Sequence, residues 1–221
     1  MKRSALTLAA LTVTLLLLAG SPAIGQAAEK WEVTITNLTR GQAITPPLVI
    51  AHAKAFNLFK TGTPASPELA ALAEDGDTSS LETLLGGLPS VKEFMKAAGM
   101  GIPPGGSVTV MIKTGGIKRY LSVAGMLADT NDAFFGVQDV KVPAGQNKTV
   151  YSVAYDAGSE TNSESCTYIP GPTCGNPFVR DTAGAEGYVH VHAGIHGLAD
   201  LMPGTHDWRN PVVRIMIKKM K

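Results

Sequence analysis

Short stretches in which apolar and polar residues alternate recur along the chain, and this alternation limits the fold more than any other feature. In "WEVTITNLT", Trp31, Val33 and Ile35 share one side of an extended strand and polar residues share the other. The stretches "SVTVMIKT" and "PVVRIMIKK" repeat this pattern, and clusters such as "PPGG" and "GPTCGNP" separate the runs. Short strands between such turns are typical of an antiparallel sandwich or barrel. The sequence therefore predicts an all-β antiparallel fold.

One region, at about 66–99, departs from the β pattern, and we expect short helices there. The dipeptide "SP" at Ser66 is typical of a helix start, and Ser79 and Glu82 have the spacing of a capping box. The stretch "SVKEFMKAAG" is compatible with one or two further helical turns. Because so short a region cannot carry a core of its own, we expect one domain, 29–221, with a helical insertion.

The beginning of the chain has the pattern of an export signal. A basic start, "MKR", precedes an uncharged apolar run at 5–20, and small residues follow. The run is short for a membrane span, which needs about 20 residues. We expect cleavage after Ala27 or Ala28, so that 1–28 form a signal peptide and the protein is secreted or periplasmic. An uncleaved anchor is the alternative interpretation.

The charge balance limits the choice of partner. Removal of Lys2 and Arg3 with the signal leaves 17 basic residues against 18 acidic ones. A chain without an excess of basic residues is a poor candidate for binding nucleic acid. We also expect no transmembrane segment after the signal is removed.

The two cysteines, Cys166 and Cys174, are separated by "TYIPGPT". An exported chain meets an oxidising compartment, and an even number of cysteines at short range favours a disulfide. Two cysteines are too few for a structural zinc site. We therefore expect a disulfide that shapes one loop.

Six stretches of the chain stand out together: "NLTRGQAITPPLVIAHAKAFNLFKTGTPAS", "ELAALAEDGD", "SVTVMI", "NDAFFGV", "YDAGSETNSESC" and "IPGPTCGNP". They resemble parts of the spondin N-terminal domain family in its bacterial secreted form, and the resemblance runs from about Trp31 to the last strand. The most specific parts are "NDAFFG", the "DAG" loop and "NPVVRIMI". The resemblance implies an eight-stranded β-sandwich similar to C2 domains that holds a calcium ion. Animal members of this family are extracellular-matrix adhesion proteins.

The family's calcium ligands come from two motifs, and both have counterparts in this chain. A Pro-Asp-Trp type motif corresponds to "TNDAFFG" and places Asp132, with Ala133 in the position of the aromatic residue. An Asp-Ala-Gly-Thr-Asp type motif corresponds to "DAGSE" and places Asp156, and Glu160 stands where animal members have Asp. The resemblance thus implies a calcium site of Asp132, Asp156 and Glu160, since calcium takes about six to eight oxygen ligands. Solvated loop acids without an ion are the alternative interpretation, and we expect Asn162–Ser165 to be solvated linker.

A histidine cluster offers a competing metal site. In "YVHVHAGIHG", His190 and His192 lie on the same face of a predicted strand, and His196 follows in the next turn. Such a set is able to bind zinc or copper. The alternative is a polar, solvent-facing side of the strand opposite Val189 and Val191.

Motifs of enzymes are scarce. The chain has no Gly-x-Ser-x-Gly elbow, and Asp181 and Glu186 near the histidines are more typical of a polar turn. We therefore expect a calcium-binding adhesion or ligand-binding module, not an enzyme, whose partner is an extracellular protein, a glycan or a lipid head group. The alternative function is a metal-dependent enzyme or a copper- or zinc-binding protein that uses His190, His192 and His196.

Overall fold

The described part of the chain forms two antiparallel β-sheets that pack face to face. The structure is a computed structural model, and it describes residues 28–145 and 147–221. Within these residues there are ten strands: β1 (Glu29–Asn37), β2 (Leu48–His52), β3 (Val91–Lys96), β4 (Ser107–Thr114), β5 (Tyr120–Met126), β6 (Ala133–Lys141), β7 (Asn147–Ser152), β8 (Ala154–Asp156), β9 (His190–Val191) and β10 (Val213–Lys219). The expected signal peptide lies outside the described residues, except for Ala28.

The two sheets differ in size. One has four strands in the order β4-β1-β10-β7, and the other has six in the order β3-β2-β5-β6-β8-β9. Every pair of neighbouring strands is antiparallel. The prediction of an all-β antiparallel sandwich is confirmed, although the described residues hold ten strands and not eight. The difference arises from edge strands, since β9 has only two residues and β3 lies in the region expected to be helical.

The main core fills the space between the sheets and follows the predicted alternation. Trp31, Val33 and Ile35 of β1 are all fully buried. The opposite sheet contributes the inward side chains of its central strands, among them Val49, Leu121, Val123 and Phe135. Because apolar side chains from both sheets leave water here, this layer supplies most of the hydrophobic stabilisation.

Two helices cover the outer face of the six-stranded sheet. They are α1 (Pro67–Asp75) and α2 (Ser79–Gly86), and a third, short helix, α3 (Pro203–His206), precedes the last strand. The second core cluster joins helix residues to outward side chains of the sheet: Leu69, Leu72, Leu81 and Leu85 with Leu48, Ile50, Ala124 and Phe134. The expected helical insertion is thus present in its first part, and it buries a face that water would otherwise meet.

The helix starts agree with the sequence in one case and differ in the other. Ser66 caps α1, since its hydroxyl oxygen accepts the backbone N–H of Leu69 at 3.2 Å. The residue that caps α2 is Thr78 and not Ser79; the Thr78 side chain makes no capping bond, and the Asp77 carboxylate accepts the N–H of Ser79 at 2.9 Å. The Thr78 hydroxyl donates to the Glu82 carboxylate at 2.5 Å instead. The capping-box prediction for Ser79 is therefore wrong.

The prediction of a helix in "SVKEFMKAAG" is also wrong, because this stretch contains β3. The neighbouring strand β2 is buried at all five residues. A buried strand cannot leave the hydrogen-bonding groups of one edge without partners. Pairing with β3 along Leu48–His52 satisfies them, and this tertiary requirement outweighs the local helix pattern.

The first and last strands are neighbours in the middle of the four-stranded sheet. Trp31 is paired with Lys219, and the register continues to Asn37 opposite Val213. The Glu29 carboxylate accepts from Lys219 at 2.6 Å and from Arg119 at 3.1 Å. Among the helices of the described residues, none has the length and apolar character needed to cross a membrane.

Candidate functional site

The three predicted calcium ligands lie at one end of the six-stranded sheet, where β6 begins and β8 ends. Asp132 directly precedes β6, and Asp156 is the last residue of β8. The register pairs Ala133 with Asp156, and the backbone N–H of Ala157 donates to the carbonyl oxygen of Asp132 at 3.2 Å. Strand pairing thus brings together two acids that are separated by more than twenty residues in the sequence.

A tight turn after β8 brings in the third acid. The Asp156 carboxylate accepts the N–H of Gly158 at 2.7 Å, and Gly158 has a φ of +66°. A side chain at this position would collide with the backbone of Tyr188, so both the φ and the space favour glycine. The turn brings the third acid, Glu160, beside Asp132, whose Oδ2 accepts its backbone N–H.

Asp132 holds this turn in place. Its Oδ2 atom accepts the backbone N–H of Ser159 at 2.8 Å, the N–H of Glu160 at 3.0 Å and the Ser159 hydroxyl at 3.2 Å. Its other oxygen, Oδ1, is buried without a hydrogen-bond partner. Asp132 therefore orders the loop with one oxygen and keeps the other free.

The three carboxyl groups are fully buried, and their electrostatics are unfavourable without a cation. Burial raises the pKa of Asp132 to about 7, and the nearby charge of Asp156 adds to the effect. Burial also raises the pKa of Asp156, and it raises the pKa of Glu160 to about 8. Like Asp132, Glu160 has a buried oxygen, Oε2, without a partner. Buried acids with unpaired oxygens need either protons or a positive charge.

The donor atoms of this set are of the kind that calcium takes, although among the described residues the oxygens of all three side chains do not lie within 4.8 Å of one another. Asp132 Oδ1 and Glu160 Oε2 are buried carboxylate oxygens with unused acceptor capacity, and Asp156 lies beside Asp132. Calcium takes oxygen ligands and tolerates irregular geometry, whereas magnesium requires an octahedron and retains its waters. The cluster therefore has the chemistry of a hard-cation site.

The predicted histidines divide into two groups. His190 is paired with Asp156 across β8 and β9, and its Nδ1 lies 3.8 Å from Asp156 Oδ1. His192 Nε2 lies 3.8 Å from Asp156 Oδ2. His196 is exposed, and its backbone N–H is held by Glu164. His190 of β9 and His192, just after this strand, therefore lie near Asp156 and do not form a separate group of three with His196.

The expectation of a solvent-facing histidine side is wrong for His192. This side chain is 2% exposed and its ring lies 5.1 Å from that of Trp208, whereas Val191 is exposed. Burial lowers the pKa of His192 to about 4, so the ring is neutral at pH 7. Its Nδ1 accepts the N–H of Gly194 at 2.9 Å, which places the ring proton on Nε2, facing Asp156.

Glu164 has a structural role that the linker interpretation missed. It is buried, and its carboxylate accepts the backbone N–H groups of His196, Gly197 and Leu198 at 2.5–2.7 Å. Its own N–H donates to the Asn131 side chain at 3.2 Å. Glu164 thus joins the loop after β8 to the loop after β9. Nothing in its acidic, polar neighbourhood distinguishes it from solvated residues, so the sequence offers no signal for this role.

Asn162 also departs from the linker prediction. Its amide donates to Asp156 Oδ2 at 2.6 Å and to the Glu186 carboxylate at 3.2 Å. One side chain therefore connects the end of β8 to the loop before β9.

The Glu164 contacts give a testable prediction about stability. We expect Glu164→Ala to lower the free energy of unfolding by about 3 kcal/mol, because three backbone donors lose a charged acceptor. Glu164→Gln keeps one acceptor oxygen and should cost less. Urea denaturation measures both changes. Glu32→Ala is the control, since this half-buried acid pairs with Lys218 at 3.9 Å on the other sheet, and a loss as large as that of Glu164→Ala would contradict the assignment.

The expected disulfide is present between Cys166 and Cys174, with Cα atoms 4.9 Å apart. The backbone N–H of Cys166 donates to Asp200 at 2.8 Å. Thr173 N–H donates to Asp129 at 2.9 Å, and so the bridged loop packs beside the segment that leads to Asp132. The disulfide therefore braces the loops that carry the acidic cluster.

The fold and the site together define a β-sandwich domain with a cluster of buried acids in the loops at one end and a disulfide beside them. Residues 41–174 match the family model described as Spondin_N, which is more than half of the chain. The protein therefore belongs to the spondin N-terminal domain family. The matched range contains the three acids and both cysteines, and it ends before His190, His192 and His196.

Membership of this family also bears on the kind of function and on the location of the protein. The spondin N-terminal domain is a non-enzymatic domain family, and together with the disulfide it indicates an extracellular or secreted protein. No curated protein matches the chain.

Proposed function

We propose that this protein is a secreted or periplasmic calcium-binding module that acts by adhesion or ligand binding and not by catalysis. One observation carries the proposal: two fully buried carboxyl groups, those of Asp132 and Glu160, each keep an oxygen without a hydrogen-bond partner beside the buried Asp156. A bound calcium ion would give these oxygens a partner and offset the charges that burial disfavours.

The role of the ion would be to fix the loops at this end of the sandwich. Asp132, Asp156 and Glu160 belong to two separate loops that strand pairing brings together. A cation bound by both loops makes their arrangement more rigid, and a rigid surface loses less entropy when it binds a partner. The partner we propose is an extracellular protein, a glycan or a lipid head group.

Calorimetric titration of the metal-free protein with calcium tests the proposal directly. We expect one ion per chain and a melting temperature that rises in calcium and falls again in chelator. Extracellular calcium modules bind at about 10⁻⁴–10⁻³ M, so the titration must extend to millimolar calcium. Magnesium at the same concentration is the control. Absence of both binding heat and a melting shift in millimolar calcium would overturn the proposal.

A further inference from the structure

We propose that Asp156, Glu186 and His190 form a second metal site that binds Zn²⁺. One ligand atom from each of these side chains lies within 4.8 Å of the others. One imidazole nitrogen and two carboxylate oxygens are a ligand set that zinc accepts, whereas calcium takes oxygen ligands. The site goes beyond the calcium function: it shares Asp156 with the proposed calcium site, but it uses neither Asp132 nor Glu160 and adds Glu186 and His190.

His190 presents its Nδ1 to the acids. This nitrogen lies 3.8 Å from Asp156 Oδ1 and 3.1 Å from the carbonyl oxygen of Tyr188. Because a carbonyl oxygen only accepts, the ring proton lies on Nδ1 in the metal-free protein. Binding of Zn²⁺ at Nδ1 would move this proton to Nε2, since a metal binds the unprotonated nitrogen of a neutral imidazole.

The carboxylates are positioned by a shared partner. Asn162 donates to Asp156 Oδ2 at 2.6 Å and to Glu186 Oε1 at 3.2 Å. This amide holds two acids of the set close together, although like charges repel. A divalent cation offsets that repulsion.

His192 supplies an independent observation. Its Nε2 is buried without a hydrogen-bond partner and lies 3.8 Å from Asp156 Oδ2. Because Nδ1 accepts from Gly194, Nε2 carries the proton and is not a metal ligand. The buried N–H dipole points at Asp156 and favours the charged carboxylate that a metal requires.

The position of the site allows an ion to enter from solvent. Glu186 is exposed and His190 is half-buried, while Asp156 forms the buried floor. Three protein ligands leave a fourth position for water in a tetrahedral zinc site.

The test is a calorimetric titration of the untagged protein with Zn²⁺ in millimolar calcium. We expect one Zn²⁺ per chain, and we expect His190→Ala and Glu186→Gln each to lower the affinity roughly tenfold or more. His196→Ala is the matched control, since this exposed histidine lies outside the set, and it should bind like the wild type. Thermal melting of each variant verifies that the fold is intact.

Cobalt provides a second readout, because Co²⁺ in a site with fewer than six ligands absorbs strongly in the visible range. We expect this absorption in the wild type and in Asp132→Asn, and its loss in His190→Ala. The proposal is overturned if Zn²⁺ does not bind, if millimolar calcium displaces it, or if His196→Ala weakens binding as much as His190→Ala. Failure of calcium binding alone would leave these results unchanged, so the two proposals fail separately.

Discussion

Replacement of Asp132 by asparagine is expected to abolish the calcium response while the metal-free domain stays at least as stable as the wild type. Oδ2 of Asp132 accepts from Ser159 and Glu160, and the amide oxygen of asparagine is able to accept the same bonds. The amide nitrogen would take the position of the unpartnered Oδ1. The substitution therefore preserves the turn and removes one of three buried charges.

The expected magnitudes are large in calcium and small without it. Loss of one carboxylate should weaken calcium binding by roughly a hundredfold or more, since charge count sets the affinity of such sites. In chelator, relief of the repulsion between residues 132 and 156 should leave the melting temperature unchanged or higher. Calorimetry and paired melts measure both effects, with Glu32→Gln as the control. An Asp132→Asn protein that is equally stabilised by calcium would remove Asp132 from the site.

The metal-free protein is expected to lose stability as the pH rises from 6.5 to 8. The pKa of Asp132 is raised by burial from 3.8 to about 7, and that of Glu160 from 4.5 to about 8. In this range the folded protein holds protons that the unfolded chain has released. The free energy of unfolding therefore falls as the pH rises through these folded-state pKa values.

Two buried histidines oppose this trend at lower pH. The pH range of the measurement therefore begins at 6.5. Burial lowers the pKa of His192 from 6.5 to about 4 and also lowers the pKa of His52. Below pH 6.5 the unfolded chain binds these protons and the folded protein does not, so the histidines destabilise the fold as the pH falls. In the unfolded chain these histidines are half deprotonated at pH 6.5 and almost fully deprotonated by about pH 7.5. Their opposing contribution therefore fades across the lower part of the range, and the carboxyl groups with raised pKa values dominate the slope above it.

Denaturation midpoints at several pH values measure the slope. We expect a loss of about 2–3 kcal/mol between pH 6.5 and 8 in chelator, since each pKa unit corresponds to about 1.4 kcal/mol. In saturating calcium the acids stay ionised in the folded state, and the slope should disappear. Asp132→Asn should show a smaller slope in chelator. Equal slopes with and without calcium would contradict the proposed link between these acids and the ion.

The parts of the fold that the sequence predicted are those with strong local patterns. Trp31, Val33 and Ile35 alternate regularly, and their burial follows directly from strand geometry. The grouping of Asp132 with Asp156 came from the family resemblance, because strand pairing over a long sequence separation has no local signal. The pairing of Ala133 with Asp156 supplies the physical reason.

The errors have a common cause in tertiary contacts. The strand β3 forms because β2 needs a partner, and His192 is buried because its short strand turns that face toward Trp208. Glu164 looks like any loop acid until the distant turn at His196 meets it. In each case the deciding partner lies far away in the sequence.

The central pairing of β1 with β10 also determines how the domain would be oriented on a support. Glu29 and Lys219 lie near Arg119, at the end where β6 reaches Lys141, whereas β6 begins beside the acids. Nine residues of extended strand separate these two ends by roughly 25 Å. A tether joined to either terminal strand would therefore leave the acidic loops pointing outward, and C-terminal immobilisation is the natural geometry for a ligand screen.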